Sequence, residues 1–167
     1  MSSHHPNEVA IITVLTEMLR DRGHTAPIQK ITLVDDSDHM TFVVDDYGTI
    51  FLICATPKVG ITKCRECLEQ CTTNTLMFIS EKGPTLETKF HFKVVAPHLH
   101  VEHFLCSELL CNPTKHALVP PHTLATDDEI EQLKQKFVLS KNLKDKLPRL
   151  LSTDIVCRYY NFPPKSI

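Results

Sequence analysis

The chain has 167 residues, of which 42% are hydrophobic and 23% charged, a balance that excludes a disordered protein and suits one ordinary domain or two small ones. Its net charge of −2 divides into −5 over residues 1–114 and +3 over 115–167, and neither part concentrates the basic face that gripping DNA alone requires. No apolar run reaches bilayer length, and the first six residues lack the basic-then-apolar order of a secretory signal, so the chain is expected to stay where it is made, with no membrane partner.

Asn7 to Arg22 reads as an amphipathic helix, with Ile11, Leu15, Met18 and Leu19 on one face, Asn7 as N-cap and Gly23 just past its end. Thr41–Val44 and Thr49–Cys54 are rich in β-branched and aromatic residues and flank the turn-forming Asp45-Asp46-Tyr47-Gly48, which predicts a hairpin. Thr62–Cys71 reads as a second helix and Thr75–Ser80 as a buried strand. After the break at Glu81-Lys82-Gly83-Pro84, Thr85–Val94 suits a helix, although Phe90, Phe92 and Val94 would equally suit a strand. Val101–Phe104 and Ser107–Cys111 read as two short strands. The order implies an α/β fold in residues 1–113, a mixed β-sheet flanked by helices.

Asn112-Pro113-Thr114 separates this domain from a smaller one over residues 114–167. There His116-Ala117-Leu118-Val119-Pro120-Pro121-His122 reads as a stiff, extended strap, because the prolines set their own φ and push Val119 and Pro120 away from helix. Thr126-Asp127-Asp128-Glu129 is a capping box opening a helix with Ile130, Leu133 and Phe137 on one stripe. Pro148 forbids a continuous helix through the next segment, and Thr153 or Asp154 can cap a last short helix holding Val156, Arg158, Tyr159 and Tyr160.

Two segments have zinc-like spacing: Cys64-x2-Cys67-x3-Cys71, and His98, His100 and His103 followed by Cys106. On a helix, however, the three cysteines form one stripe and suit a buried face, and the paired Cys-x2-Cys knuckles of zinc ribbons are missing. Seven cysteines outside the secretory route are expected as reduced thiols, and none sits in a nucleophile signature. Four glycines leave little room for a phosphate cradle. Asp35-Asp36-Ser37-Asp38 lacks calcium-loop spacing and reads as a solvated loop. No metal, cofactor or catalytic residue is expected. The principal alternative is a free-standing zinc- or nucleic-acid-binding protein using the Cys64/Cys67/Cys71 and His98/His100/His103 segments; a thiol enzyme is a third reading.

Three C-terminal segments in order, the strap His116–His122, Leu147-Pro148-Arg149-Leu150 and Asp154-Ile155-Val156-Cys157-Arg158-Tyr159, resemble the assembly domain of the fifth subunit shared by the eukaryotic nuclear RNA polymerases, a family that includes its archaeal counterpart. The first helix, with its Arg20-Asp21-Arg22-Gly23 turn, is similar to that family's opening more weakly. The resemblance implies an N-terminal jaw domain and a small α+β assembly domain in a non-catalytic subunit of a nuclear DNA-directed RNA polymerase, in nucleus and nucleolus. The implied partners are the largest subunit, a small neighbouring common subunit, and downstream DNA through the assembled complex. His116, Leu118, Val119, Pro120, His122, Leu147, Pro148, Arg149, Arg158 and Tyr159 would then fold and dock the assembly domain. Departures from the family's pattern are Ile155 where it has a proline, Gly83-Pro84-Thr85-Leu86 in place of its jaw turn near DNA, and the want of its last strands after Ser166. They imply either a truncated sequence or a divergent or paralogous copy with a shortened C-terminus.

Overall fold

The computed structural model describes residues 6–31, 39–53, 59–71, 73–95, 97–136 and 146–167. The Asp35–Asp38 loop, Cys54 and Phe137 lie outside them. The chain divides into two compact units, Met1–Asn112 and Pro113–Ile167.

In the N-terminal unit, helix α1 (Glu8–Asp21) turns Ile11, Val14, Leu15, Met18 and Leu19 inward, as its 3.6-residue periodicity requires. Asn7 is its N-cap residue, as expected, although its side chain makes no capping bond. Gly23 ends it at φ +92°, where the Gly23 amide donates to the Arg20 carbonyl and the His24 amide to that of Leu19, the paired bonds of a Schellman stop.

Five strands follow in the order β1 (Gln29–Ile31), β2 (His39–Val44), β3 (Gly48–Ile53), β4 (Thr75–Ser80) and β5 (His100–Leu105), each beside the next. The first three pair antiparallel; β3–β4 and β4–β5 are parallel. The parallel steps need crossovers, supplied by α2 (Ile61–Gln70) and α3 (Leu86–Val95). The sheet is therefore mixed and flanked by helices, in agreement with the fold class read from the sequence. Thr85–Val94 resolves to helix, whereas Ser107–Cys111 is not a strand: Cys106–Leu109 closes into a 3₁₀ turn. The Glu108 carboxylate accepts the Leu105 amide at 2.8 Å and so favours that turn over further pairing.

One core lies on the crossover face, where Phe51, Ile53, Val59, Cys64, Cys67, Leu76, Phe78 and Phe92 pack together. Ile50, Leu52, Met77 and Ile79 on the opposite face are equally buried, which explains why β3 and β4 read as unbroken apolar runs. Gly48 makes close strand approach possible, because a Cβ there would meet the Thr75 carbonyl oxygen at 2.4 Å.

The C-terminal unit holds a 3₁₀ turn (Pro113–Lys115), helix α4 (Asp127–Lys136) and helix α5 (Ile155–Tyr160).

Candidate interaction site on the C-terminal unit

The first half of the strap is a turn and not an extended segment. The Val119 amide donates to the His116 carbonyl at 2.9 Å, and the Leu118 amide donates to His116 Nδ1 at 3.2 Å. The reason is local: the steric bar from proline begins only at Val119, so Ala117 and Leu118 are free to turn. The turn projects Leu118 into solvent, 85% exposed. His116 and Pro120 are exposed beside it and Val119 is half-buried. Beyond the prolines, His122 Nδ1 lies 2.7 Å from the Pro120 carbonyl, which fixes that ring.

Next comes the capping box, formed as expected. The Glu129 amide donates to Thr126 Oγ1 at 3.3 Å and the Thr126 amide to Glu129 Oε2 at 2.8 Å. Those bonds from the Thr126 amide and hydroxyl hold the Glu129 carboxyl below the usual glutamate range. Asp154 is the residue that caps α5, with Oδ1 accepting the Val156 amide at 2.8 Å. Asn161 stops that helix in the left-handed conformation at φ 53°, with Asn161 and Phe162 amides donating to the Arg158 and Cys157 carbonyls.

The capped helix and the Leu147–Leu150 loop frame a groove of about 700 Å³. His122, Leu147, Pro148 and Arg149 line it together, so the structure gathers four of the ten residues singled out in the sequence. Of the remaining six, His116, Leu118, Val119 and Pro120 form the turn described above, and Arg158 is half-buried on α5. Tyr159 is fully buried, with its ring edge-on to Tyr160, which in turn stacks on Phe162. It therefore contributes to packing inside the chain. The sequence reading missed Phe162, Pro163, Pro164, Lys165 and Ile167, which complete the groove. Their signal was available, since pre-proline residues are driven to extended backbone, but their destination against Leu124 and Leu147 depends on tertiary packing.

The zinc-binding alternative does not hold for the residues it invoked. Cys64 and Cys67 are core residues, and Cys71 donates its thiol to the Thr73 carbonyl at 3.3 Å. Burial pushes the Cys64 thiol up to about 11, against the small opposing effect of Arg65, so it stays protonated at neutral pH and is a poor ligand or nucleophile. His100 and His103 stand three residues apart on β5 and so face opposite sides of the sheet. His103 Nε2 instead lies 2.9 Å from Ser80 Oγ. Among the described residues no three His, Cys, Asp or Glu side chains converge as a metal site would need.

The C-terminal unit thus combines a groove, a turn that exposes Leu118 and two capped helices. Residues 111–167 match the family described as RNA polymerase Rpb5, C-terminal domain. The chain is similar to the DNA-directed RNA polymerases I, II, and III subunit RPABC1 of Caenorhabditis elegans, 33% identical over 107 residues, 62% of this chain and 49% of that protein. It is 30% identical over 110 residues to the corresponding Dictyostelium discoideum subunit, covering 63% and 54% of the two chains. It is also 43% identical over 60 residues to the Arabidopsis thaliana DNA-directed RNA polymerases IV and V subunit 5B, covering 36% and 26%. Residues 111–167 are thus similar to the Rpb5 C-terminal domain and the chain is similar to Rpb5 subunits, and the plant copies fit the reading of a divergent paralogue. It spans about half the length of the curated relatives it matches first.

Proposed function

We propose that the chain is a non-catalytic subunit of a nuclear DNA-directed RNA polymerase, docked through its C-terminal unit. The observation that carries this reading is the coincidence of the Rpb5 C-terminal match, residues 111–167, with the unit that exposes Leu118 and collects His122, Leu147, Pro148 and Arg149 around one groove. An apolar side chain held out on a proline-braced turn loses little further freedom on binding, and arginine and proline-rich rims suit a protein interface. The partners in this reading are the largest polymerase subunit and a small neighbouring common subunit. The N-terminal unit, residues 1–112, serves as a jaw beside downstream DNA, its weak and uneven charge fitting contact made only within the assembly. His116, Leu118, Val119, Pro120 and Arg158 belong to the docking surface, whereas Tyr159 acts by holding α5 in shape.

Tagged chain should co-purify with the large polymerase subunits from nuclei at near-equal stoichiometry. Pro120→Ala combined with Arg149→Ala should weaken that incorporation while leaving the N-terminal unit folded. Recovery of the wild-type chain free of polymerase, or undiminished incorporation of the double variant, refutes the respective part of the reading.

A further inference from the structure

Helix α3 is held to the N-terminal unit by Thr88 and Phe92. Thr88 is fully buried, with Oγ1 donating to the Val59 carbonyl at 3.0 Å, and the Phe92 ring packs on Phe78 with centroids 5.1 Å apart. The Thr88 amide also donates to Thr85 Oγ1 at 3.2 Å, so the rotation of the helix about its axis is pinned. Leu86, Phe90 and Val94 consequently lie on the outside, at 84%, 70% and 60% exposure. Standing four residues apart, they form one ridge along a helix about 15 Å long. Single exposed apolar residues need no explanation, but three large ones in line on a pinned helix mark a contact surface.

Shape and charge restrict what covers it. A ridge of residues four apart seats in the groove of a second helix. Lys89, three residues beyond Leu86, borders the ridge on one side, and Glu87, three residues before Phe90, borders it on the other. Both are exposed, and neither side chain has a hydrogen bond or ion pair among the described residues. A second copy of the chain fits poorly, because two ridges packed antiparallel about a dyad set like borders together, Lys89 beside Lys89. The three side chains also offer only roughly 300 Å² per copy, against about 800 Å² in a standard interface, an area that suits one short segment held transiently. A nucleic-acid duplex or an anionic membrane would meet the whole unit, whose net charge over residues 1–114 is −5. A short segment meets only the local border, since exposed charges beyond about 8 Å are screened at physiological salt. Over residues 82–100 the chain carries three lysines and one glutamate, the reverse of the balance in the rest of that unit.

We infer that the ridge of Leu86, Phe90 and Val94 takes a short amphipathic helix of another protein, whose apolar stripe packs on the ridge and whose carboxylates run along the border that meets Lys89. The ridge lies in residues 1–112, apart from the unit through which docking is proposed, so the two readings stand or fall separately.

A phage library of amphipathic helices of about twelve residues, with a fixed leucine stripe and border positions drawn from Asp, Lys and Gln, selected on the full chain, tests it. The expected winners carry aspartate along one border only. A winning synthetic peptide should bind the Phe90→Ala chain at least tenfold more weakly than wild type. Phe90 is mostly exposed and alanine is the better helix former, so the circular dichroism of that variant should match wild type. Selection on the Lys89→Glu chain should turn the acidic border to lysine. No winners above background, borders without charge preference, or undiminished binding by the Phe90→Ala chain would each overturn the inference. So would displacement of the peptide by a single-stranded oligonucleotide or by phosphatidylserine vesicles.

Discussion

Arg22 and Glu102 stand 80 positions apart and form a buried two-point ion pair in the N-terminal unit. Nη1 and Nη2 donate to the two carboxylate oxygens at 2.9 and 2.7 Å, and the side chains are 4% and 10% exposed. The Tyr47 hydroxyl donates to Glu102 Oε1 at 2.9 Å, so the end of α1, the β2–β3 turn and β5 are tied to one carboxylate. Burial alone would lower the Arg22 pKa, but the hydrogen bond and charge of Glu102 overcome it and hold the guanidinium firmly charged. Arg22→Met keeps most of the side-chain volume and leaves Glu102 buried without the guanidinium, beside the Tyr47 hydroxyl and His100 Nε2, the latter 3.4 Å from Oε1. Breaking a buried pair from one side is worth about 3–5 kcal/mol, and the surviving Tyr47 bond places the expected loss near the lower end, about 3 kcal/mol. Arg22→Met with Glu102→Gln removes both charges yet keeps an acceptor for Tyr47, and should recover about 2 kcal/mol of that loss. Urea unfolding of the full chain by far-UV circular dichroism measures both, with hydrogen exchange of the β5 amides reporting on the N-terminal unit alone. A single variant within about 1 kcal/mol of wild type, or a double variant no better than the single, would refute the argument that desolvation of the carboxylate dominates here.

Gly48→Ala should be strongly destabilising, because its Cβ would press on the Thr75 carbonyl at 2.4 Å and its φ of +154° disfavours a side chain; a loss of at least about 2 kcal/mol, read as a fall of roughly 10 °C in Tm, is expected, and an unchanged Tm would show that β3 and β4 can separate there. Stability should also decline on the alkaline side. Burial raises the Cys64 thiol from 9.0 to about 11, and burial together with Glu102 raises the Tyr47 phenol above its ordinary 10.0. Above pH 9 for Cys64 and above pH 10 for Tyr47 the unfolded chain sheds the proton while the folded chain keeps it, so each group removes about 1.4 kcal/mol per pH unit from there until its folded pKa is reached. Urea midpoints at pH 7, 9 and 10.5 should fall in that order, and Cys64→Ala should flatten the slope between 9 and 10.5; a flat profile in the wild-type chain would contradict it.

Sequence patterns and structure agree where the cause is local. The inward stripe of α1, the Gly23 stop, the β2–β3 hairpin, the Thr126–Glu129 box and the Asp154 cap each depend on residues within a few positions of one another. They part where the deciding partner is distant or competing. Ser107–Cys111 has strand-like composition, yet the Glu108 carboxylate captures the Leu105 amide and closes a 3₁₀ turn. The prolines of the strap predict an extended segment, but they govern only Val119 onward and the His116–Val119 bond turns the chain before them. The Cys64, Cys67 and Cys71 stripe suits both a ligand set and a core face, and only the packing of Phe51, Phe78 and Phe92 around it decides for core.

By itself, then, the amino-acid order determined the first two helices, the hairpin, the central strands and the capped helices, and the three C-terminal segments that carry the likeness to Rpb5. Periodicity, capping and proline stereochemistry act over one or two turns of chain and are written in adjacent residues. Only the tertiary structure decided that Tyr47, Arg22 and Glu102 share one buried carboxylate, and that Phe162 to Ile167 complete a groove with His122 and Arg149. The first set joins residues 25 to 80 positions apart, a distance over which no periodicity survives. Such contacts exist because burying apolar surface brings the elements together, and the polar groups carried along must then find one another.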